Sequence, residues 1–309
     1  MSQDVFRDLQ ETFPALKFRQ NEQLSQHTYM KTGGPAEVFV QVQTKADLVN
    51  LVSWCEKHTQ KFIVLGGASN VLVPDEGLKG LVIKNLSNAM QVKKINDSLF
   101  ELEVDSGVHT NMLVRKALDE GLEGLEYFLG VPGTVGGAIY NNSHYMNQLI
   151  GDSAFEVDVV NHDGSVKTYV KNDLQFAYDY SVIQETKETI LSIRFRLKKG
   201  DKAVLEERAL EATRKRASTQ PLGIPSTGCM FKNPMMSDGT QGHAGKLIDQ
   251  AGLKGVRVGD AAVSDKHANF ILNTGHANTS DILRLVEQVQ STVKDKFGVE
   301  LHREVFMLS

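Results

Sequence analysis

Apolar residues recur along this chain with the two spacings that distinguish strands from helices. Valine occupies every second position from 38 to 42, which predicts a strand over residues 36–43. Thr44 follows, and threonine is one of the residue types that cap a helix N-terminus. The apolar residues of the next segment fall on one helical face, at Leu48, Leu51, Val52 and Cys55. Cys55 is therefore predicted to be a core thiol, because cysteine packs as a small hydrophobic side chain.

The same reasoning predicts most of the remaining elements. Strands are predicted at residues 62–65, 80–84, 99–104, 155–162, 190–197 and 299–308. Helices are predicted within 1–20 and 198–216, from Thr110 to Gly121, at 244–251, and from a cap at Thr279 to Gly298. On the last strand, Glu300, His302 and Glu304 are expected to share one side. Taken alone, this mixture of elements predicts an α/β protein.

Two glycine-rich segments interrupt the apolar pattern. One runs from Gly124 to Asn142 and intersperses glycines with apolar residues, which indicates a half-buried backbone that turns repeatedly. The other is the turn from Gly66 to Asn70. Glycine lets a ligand approach backbone amides closely, and such amides bind phosphate or the edge of a flat heteroaromatic ring. The alternative is a glycine-rich turn between two core strands.

Composition places the chain among ordinary globular proteins with one large or two medium domains. The 309 residues carry a formal net charge of −4, which gives no reason to expect nucleic acid or an anionic membrane as a partner. The two cysteines are far apart and form no disulfide framework, as expected in a reducing compartment. No secretory signal is recognisable, and no run reaches the ~20 apolar residues of a membrane helix. The expected location is the cytoplasm.

Cys229 is the side chain best suited to acid–base chemistry. It lies in the segment S-T-G-C-M-F-K-N-P, and a thiol with a pKa of about 8.5 is mostly protonated at neutral pH and can donate a proton. A buried structural cysteine is the alternative. By themselves, Glu304 is best explained as a surface carboxylate and His267 as a hydrogen-bonded histidine at the start of a strand.

Several common site patterns are absent from the sequence. The turn at 66–70 does not match G-x-G-x-x-G and no helical pattern follows it, so loop amides would have to hold any phosphate there. No H-x-x-x-H or C-x-x-C pair occurs, and no metal site is expected. Neither a G-x-S-x-G elbow nor a G-x-x-x-x-G-K-[ST] loop is present.

Seven segments in a fixed order are similar to those of one family. They are T-Y-M-K-T-G-G-P-A (28–36), L-G-G-A-S-N-V-L-V (65–73), G-L-E-Y-F-L-G-V-P-G-T-V-G-G-A (124–138), G-C-M-F-K-N-P (228–234), A-G-K-L-I-D-Q-A-G-L-K-G (244–255), K-H-A-N-F-I-L-N-T-G (266–275) and H-R-E-V (302–305). The chain resembles the UDP-N-acetylenolpyruvoylglucosamine reductases, flavoenzymes that make UDP-N-acetylmuramate for peptidoglycan. The resemblance covers residues 20–309 and is to the shorter type, which lacks a substrate-covering insertion.

The resemblance implies an α+β fold. An FAD-binding domain of the vanillyl-alcohol-oxidase type, with two subdomains, would precede a C-terminal α+β substrate domain. The expected boundaries are an N-terminal tail at 1–20, an FAD-binding domain at 21–200 with subdomains of about 21–85 and 86–200, and a substrate domain at 201–309. A monomer is expected.

The resemblance also implies a reaction. NADPH reduces FAD and leaves, and the enolpyruvyl sugar nucleotide then receives hydride at C3 and a proton at C2. Cys229 takes the position of the proton donor, usually a serine, and Glu304 that of an acidic helper. Tyr178, Lys232 and Asn233 are expected to bind the substrate. The residues expected to hold FAD are Gly66, Gly67, Ala68, Ser69, Asn70, Val131, Pro132, Gly133, Thr134, Gly136 and Gly137.

Three features depart from the family pattern. Where the family has Y-R-x-S, this chain has Y-D-Y-S at 178–181, so the carboxylate of Asp179 replaces a charge-stabilising guanidinium. T-Q-P at 219–221 replaces K-x-P, and N-N-S-H-Y-M at 141–146 replaces small residues. His144 is a candidate for the missing positive charge.

Three hypotheses follow from these departures. The first is a working reductase with a reorganised anion site. The second is a non-catalytic paralogue that binds flavin or a sugar nucleotide, and the third is an oxidase that acts on another sugar. The motifs at 228–234 and 302–305 argue against the third hypothesis, because they belong to the reductases.

Overall fold

The computed structural model describes residues 1–236 and 238–309. The chain divides into two compact units, each built from several separate segments. The first unit contains Met1–Gln20, Val38–Gly67 and Gly80–Arg216, and the second contains Asn21–Glu37, Ala68–Lys79 and Ala217–Ser309. Each unit has its own hydrophobic core.

Strands and helices alternate irregularly along the chain. The strands are β1 Arg19–Gln23, β2 Pro35–Val42, β3 Phe62–Leu65, β4 Val71–Leu72, β5 Leu78–Asn85, β6 Met90–Lys94, β7 Leu99–Asp105, β8 Leu122–Glu123, β9 His144–Tyr145, β10 Gln148–Leu149, β11 Ala154–Val160, β12 Val166–Val170, β13 Thr189–Lys199, β14 Ser226–Cys229, β15 Arg257–Val258, β16 Ala261–Val263, β17 Phe270–Asn273 and β18 Phe306–Met307. The α-helices are α1 Gln3–Thr12, α2 Lys45–Lys57, α3 Thr110–Asp119, α4 Val135–Tyr140, α5 Ile150–Ser153, α6 Ile183–Thr186, α7 Lys202–Thr219, α8 Ala244–Gln250 and α9 Thr279–Phe297. Short 3₁₀ helices lie at Leu24–Gln26, Glu126–Phe128 and Lys171–Leu174.

The first unit is organised around an antiparallel sheet with the strand order β12-β11-β13-β7-β6. Its longest strand, β13, pairs with β7 from Ser192 opposite Asp105 to Lys198 opposite Leu99. Alternate residues of β13 are buried in one core together with apolar residues of α3 and α4. The strands predicted at 99–104, 155–162 and 190–197 are therefore confirmed by this sheet.

A second core of the first unit lies around α2. Thr44 caps this helix as predicted, because its hydroxyl accepts a hydrogen bond of 3.0 Å from the amide of Asp47. The parallel pair of β3 with β5 belongs to the same core. Cys55 is fully buried there, and burial, followed by the nearby charge of Glu56, raises the pKa of its thiol to about 12. The prediction that Cys55 is a core thiol is confirmed.

The second unit contains a sheet with the strand order β14-β17-β16-β15, and α8 and α9 supply apolar residues to its core. The C-terminal strand β18 pairs in parallel with β4, with Phe306 opposite Val71. This pairing places the segment after the Gly66–Asn70 turn in the same unit as the last hundred residues. The predicted domain boundaries stay a prediction, and the compact units differ from them at Asn21–Glu37, Ala68–Lys79 and the part of α7 up to Arg216.

Three element predictions need correction. The Gly124–Asn142 segment contains the helix α4 in addition to turns. The cap of α9 is Asn278 rather than Thr279, because Asn278 and Asp281 exchange hydrogen bonds in a capping box. Only Phe306–Met307 of the predicted strand at 299–308 is regular strand, so the predicted length is wrong. The placement of Glu300, His302 and Glu304 on one side of the chain stays a prediction. No prediction was made for ten of the strands described: β1, β4, β6, β8, β9, β10, β12, β14, β15 and β16.

Helix α9 begins beside the carboxylate of Asp75, which acts as a second, remote cap. The carboxylate accepts hydrogen bonds from the amides of Thr279 at 2.8 Å and Ser280 at 2.9 Å, and from the Ser280 hydroxyl at 2.6 Å. Burial by itself would raise the pKa of Asp75, but the hydrogen bonds from Ser280 and Thr279 outweigh it and hold the pKa below its usual value. The ionised carboxylate is thus the form that the folded unit stabilises.

We expect Asp75→Ala to lower the free energy of unfolding by about 1 kcal/mol at pH 7, as the loss of a helix cap does. A carboxyl pKa lowered by folding contributes stability above its unfolded pKa of about 4 and loses it as the pH falls through the folded pKa. The difference between the two proteins should therefore shrink below about pH 4. Urea unfolding at several pH values measures this difference in the free energy of unfolding. Glu76→Ala, which changes an exposed neighbouring residue, is the matched control.

No helix of the described residues is long and apolar enough to span a membrane.

Candidate active site

Two glycine-rich loops of the first unit meet through their backbones. A Cβ at Gly67 would lie 2.5 Å from the Cα of Gly133, and a Cβ at Gly66 would lie 2.1 Å from Oγ1 of Thr134. Side chains do not tolerate such distances, so only glycine fits at these two positions. The fold thereby brings together two predicted cofactor segments that are more than sixty residues apart in sequence.

The meeting point of the two loops carries unsatisfied hydrogen-bond donors. The hydroxyl of Thr134 is buried and has no hydrogen-bond partner among the described residues. Within residues 1–236 and 238–309, the amides of Gly67 and Gly133 also donate to no acceptor. Buried polar groups in proteins are nearly always paired, so this arrangement fits a ligand that accepts hydrogen bonds. Phosphate oxygens and the heteroatoms of a flavin ring are such acceptors, and these residues therefore fit FAD.

The helix α4 starts inside this loop and is held by its backbone. The amide of Gly136 donates to the carbonyl of Ser106 at 2.8 Å, and a Cβ at Gly136 would meet the Ser106 Cβ at 2.8 Å. The Ser106 hydroxyl accepts from Asn85 and donates to the carbonyl of Ile190. Ser106 and Asn85 thus position the loop, and neither could be predicted, because single polar residues in and beside strands carry no local signal in the sequence.

The remaining predicted residues of this loop precede α4 or lie within it. Val131 packs partly buried against the core, with its amide bonded to the carbonyl of Phe128 at 3.0 Å. Pro132 lies on the partly exposed side of the turn. A Cβ at Gly137 would meet only Oγ1 of Thr134, at an ordinary contact distance of 3.7 Å, so open space adjoins this glycine.

In the second unit, backbone hydrogen bonds place the chain segments of Cys229 and Glu304 side by side and next to the segment of Asn70. The amide of Glu304 donates to the carbonyl of Met230 at 2.9 Å, and that of Lys232 donates to the carbonyl of His302 at 2.9 Å. The amide of Phe306 then donates to the carbonyl of Asn70 at 3.1 Å. The predicted proton donor, the predicted acidic helper and the second half of the Gly66–Asn70 turn are therefore neighbours within this unit.

Cys229 ends strand β14 and is half-buried. The preceding Gly228 has φ +80°, a left-handed conformation that glycine adopts without strain, and it turns the chain just before the thiol. Ala68 also has a positive φ, of 52°, and its carbonyl accepts from the amide of Tyr29 at 3.2 Å. Ser69 lies between Ala68 and Asn70 in the same bend.

Asn269 fixes the segment that follows Cys229. Its carbonyl accepts from the amide of Met230 at 2.7 Å, and its side chain both accepts from the Phe231 amide at 3.0 Å and donates to the Phe231 carbonyl at 2.8 Å. His267 accepts from the amide of Asn269 at 3.3 Å, and burial lowers the pKa of its imidazole. The prediction that His267 is a hydrogen-bonded histidine is confirmed, whereas the role of Asn269 was not foreseen.

The two predicted substrate-binding residues of this unit differ in how their side chains are used. The Asn233 side chain accepts a hydrogen bond of 3.1 Å from the amide of Ala244, the first residue of α8. This contact ties Asn233 to the helix start. The Lys232 side chain is half-buried, and its backbone is held by His302 as described above. Substrate contact for both residues stays a prediction.

Tyr178, the third predicted substrate-binding residue, lies in the first unit beside Asp179 and His144. The Tyr178 side chain is 41% exposed, and its ring centroid lies 4.7 Å from that of His144. Nδ1 of His144 lies 3.2 Å from a carboxylate oxygen of Asp179, which is only 7% exposed. Both residues were candidates from the sequence, and in the structure they form an ion pair whenever the histidine is protonated.

Two family models match the chain in order. The FAD binding domain model matches residues 36–169, and the model of the UDP-N-acetylenolpyruvoylglucosamine reductase C-terminal domain matches residues 220–308. A UDP-N-acetylenolpyruvoylglucosamine reductase of Listeria innocua is 37% identical over 299 residues, which is 96% of this chain and 97% of that protein. The chain belongs to the UDP-N-acetylenolpyruvoylglucosamine reductase family. The reductase of Enterococcus faecalis is 38% identical over 96% of this chain and 95% of its own length.

A solved structure extends the similarity to the whole fold. The crystal structure of the reductase from Thermus caldophilus superimposes with a TM-score of 0.78, at 33% identity, over 95% of this chain and 99% of that one. The α+β fold with an FAD-binding domain and a reductase C-terminal domain, implied by the resemblance, is therefore confirmed.

Proposed function

We propose that this chain reduces the enolpyruvyl group of UDP-N-acetylenolpyruvoylglucosamine to give UDP-N-acetylmuramate, with bound FAD as cofactor and NADPH as reductant. The observation that carries the proposal is the match along nearly the whole chain to reductases of this name. The FAD-binding domain model and the C-terminal reductase domain model match successive parts of the chain.

FAD when bound supplies a hydride acceptor for NADPH and a hydride donor for C3 of the enolpyruvyl group. On the side of the protein, the hydroxyl of Thr134 and the amides of Gly67 and Gly133 are the donors available to hold it. Only glycine at positions 66 and 67 keeps the two loops in contact at this point. Ser106 and Asn85 fix the loop through buried hydrogen bonds, so the donors keep their positions before the cofactor arrives.

Cys229 then donates a proton to C2 of the substrate. A thiol is a stronger acid than the hydroxyl of serine, so cysteine is chemically suited to general-acid catalysis at neutral pH. Glu304 would polarise the substrate carboxylate or place the proton. The backbone hydrogen bond from Glu304 to Met230 supports a joint role, because it holds the acidic residue next to the chain segment of the thiol.

The test is an NADPH-oxidation assay with purified protein. We expect a yellow protein with flavin absorbance bands, which oxidises NADPH in the presence of UDP-N-acetylenolpyruvoylglucosamine and forms UDP-N-acetylmuramate in equal amount. Flavin reduction by NADPH without turnover of this substrate would instead support a non-catalytic paralogue. Oxygen consumption with another sugar would support an oxidase.

Cellular location and assembly belong to the same proposal. We expect the protein to act in the cytoplasm, where the reducing environment keeps the thiol of Cys229 unoxidised. We also expect a monomer, with a small sugar nucleotide as its partner. Light scattering of the FAD-loaded protein at micromolar concentration would test the monomeric state.

A further inference from the structure

His144, Tyr178 and Asp179 form a cluster in the first unit that the mechanism above does not use. Asp179 is the centre of this cluster, and its carboxylate is more than nine-tenths buried. One carboxylate oxygen faces Nδ1 of His144 at 3.2 Å, and the other has no hydrogen-bond partner among the described residues. A buried carboxylate is unfavourable unless a cation compensates it, and the imidazole of His144 is the side chain placed to provide one when it is protonated.

The backbone also holds Asp179 in an unusual conformation. Its φ of 52° lies in the left-handed region, which residues other than glycine rarely adopt. The Gln184 side chain fixes this turn by donating to the Asp179 carbonyl at 2.9 Å and to the Tyr140 carbonyl at 3.0 Å. Strained conformations persist where the surroundings determine them, and they concentrate at functional sites.

His144 lies on a short hairpin that is hydrogen-bonded to helix α7. Strands β9 and β10 are joined by Met146 and Asn147, both with positive φ, as in a tight type I′ turn. Next to His144, the Tyr145 hydroxyl donates to the carbonyl of Ala212 at 3.2 Å. The imidazole is therefore held over the Tyr178 ring while about a third of the His144 side chain stays exposed.

The cluster lies at the far end of the helix that begins in the cofactor loop. The Ser181 hydroxyl and the Gln184 amide both donate to the carbonyl of Tyr140, the last residue of α4. A helix of six residues is about 9 Å long, so the His144 cluster and the Thr134 loop lie roughly one such length apart. A distance of this size leaves room for the ring system of a cofactor bound at the Thr134 loop and for a substrate beside it.

We propose that His144, oriented by Asp179, binds the carboxylate of the enolpyruvyl substrate as an imidazolium and stabilises the negative charge that develops there. This inference rests on the function proposed above. His144 is then a catalytic residue, and Asp179 is a positioning residue that acts through it. Cations aimed at developing charge are among the strongest contributions to enzymatic rate.

Other charged side chains lie on the elements around the cluster, and they contact its neighbours. Lys187 on the turn after α6 lies 3.4 Å from the Tyr140 hydroxyl, and Glu185 accepts from the Tyr180 hydroxyl at 2.7 Å. Arg216 of α7 lies over the Tyr145 ring at 5.3 Å. Because Asp179 is in ion-pair contact with the His144 ring, the protonation of His144 is expected to dominate the pH dependence of this cluster.

The experiment is the pH profile of kcat/KM for UDP-N-acetylenolpyruvoylglucosamine, measured on FAD-loaded protein. An imidazolium is present below its pKa and lost above it, so kcat/KM of the wild type should fall tenfold per pH unit on the alkaline side. His144→Ala should lower kcat/KM about 100-fold at low pH and remove this limb. His144→Lys should restore activity and extend it to higher pH, and Asp179→Asn should move the limb to lower pH because it removes the stabilising negative charge.

His162→Ala is the matched control. His162 likewise contacts a carboxylate, that of Glu56, at 3.2 Å, and it is more exposed than His144. Its removal should leave the profile unchanged. FAD content and thermal melting check that each variant is folded. If Asp179→Asn does not fold, the variants of the partly exposed His144 are sufficient for the test. An active wild type whose profile is unaffected by His144→Ala would refute this inference alone, whereas a wild type inactive on the substrate at every pH would refute the proposed function.

Discussion

Cys229→Ala is expected to lower turnover of UDP-N-acetylenolpyruvoylglucosamine about 10³-fold while NADPH continues to reduce the bound flavin. A positioned general acid contributes 10²- to 10⁴-fold, and a 10³-fold loss corresponds to about 4 kcal/mol of transition-state stabilisation. The two half-reactions separate the role of the thiol from any effect on the cofactor, because reduction by NADPH needs no proton at C2. Stopped-flow absorbance of the flavin measures the first half-reaction, and product formation measures the second.

The chain offers its own controls for this variant. Cys55→Ala removes the other thiol, which is fully buried in the core around α2, and should leave the turnover of the folded protein unchanged. Cys229→Ser keeps a weaker acid at the same position and should retain an intermediate rate. Wild-type turnover by Cys229→Ala would remove the thiol from the mechanism, and Glu304 would then become the first candidate for the proton donor.

The parts of the fold that follow from local sequence were predicted well. Helix α2 is specified within fourteen residues, by the cap at Thr44 and the apolar stripe after it. The alternation of apolar residues along β13 likewise identifies which face of the strand is buried. In these elements the local preference and the tertiary packing agree, so the sequence pattern alone is sufficient.

Helix α4 could not be predicted in this way. Its six residues include Gly136 and Gly137, and glycine is less favourable than alanine in a helix by about 1 kcal/mol. The helix forms because the carbonyl of Ser106 accepts from the Gly136 amide, and because the backbone can approach Ser106 closely only at glycine. Both reasons lie about thirty residues away in sequence and involve no hydrophobic pattern.

The C-terminal segment shows a second kind of limit. Its alternation predicted one long strand, and the chain is indeed hydrogen-bonded along much of its length. Its partners change, however, from the Met230–Lys232 segment to Asn70 and Leu72. A period of two identifies extended backbone, but it cannot tell which strands lie alongside or where the chain passes from one partner to the next.

The residues of the candidate site also fall into two groups, those that the sequence predicted and those that only the fold brings together. The glycine-rich loops and Cys229 were visible from residue type and context, and the family resemblance supplied Glu304 and Tyr178. The ion pair of His144 with Asp179 depends on two residues thirty-five positions apart, and the supporting roles of Asn269 and Ser106 depend on buried hydrogen bonds. Such contacts are products of the fold, and a single sequence carries no local signal for them.

Gly67→Ala is expected to yield protein largely without FAD. The new Cβ would lie 2.5 Å from the Cα of Gly133 and 3.1 Å from its carbonyl carbon, so one of the two loops has to move by about an ångström. The buried Thr134 hydroxyl and the amides beside it would then lose their common orientation. We expect the dissociation constant for FAD to rise at least ~100-fold, or about 3 kcal/mol, as for the loss of two or more hydrogen bonds to a ligand.

Gly137→Ala is the matched comparison, because the same methyl group would there meet the protein only at an ordinary 3.7 Å. Alanine is also the better helix former, so the apoprotein should be as stable as the wild type or more stable by up to about 1 kcal/mol. If FAD approaches α4 closely, this variant loses FAD affinity without losing stability, whereas Gly67→Ala loses both. Flavin absorbance per polypeptide, fluorescence titration with FAD and thermal melting of the apoproteins separate the two cases. Full FAD content in Gly67→Ala would show that the contact of the two loops is not needed for cofactor binding.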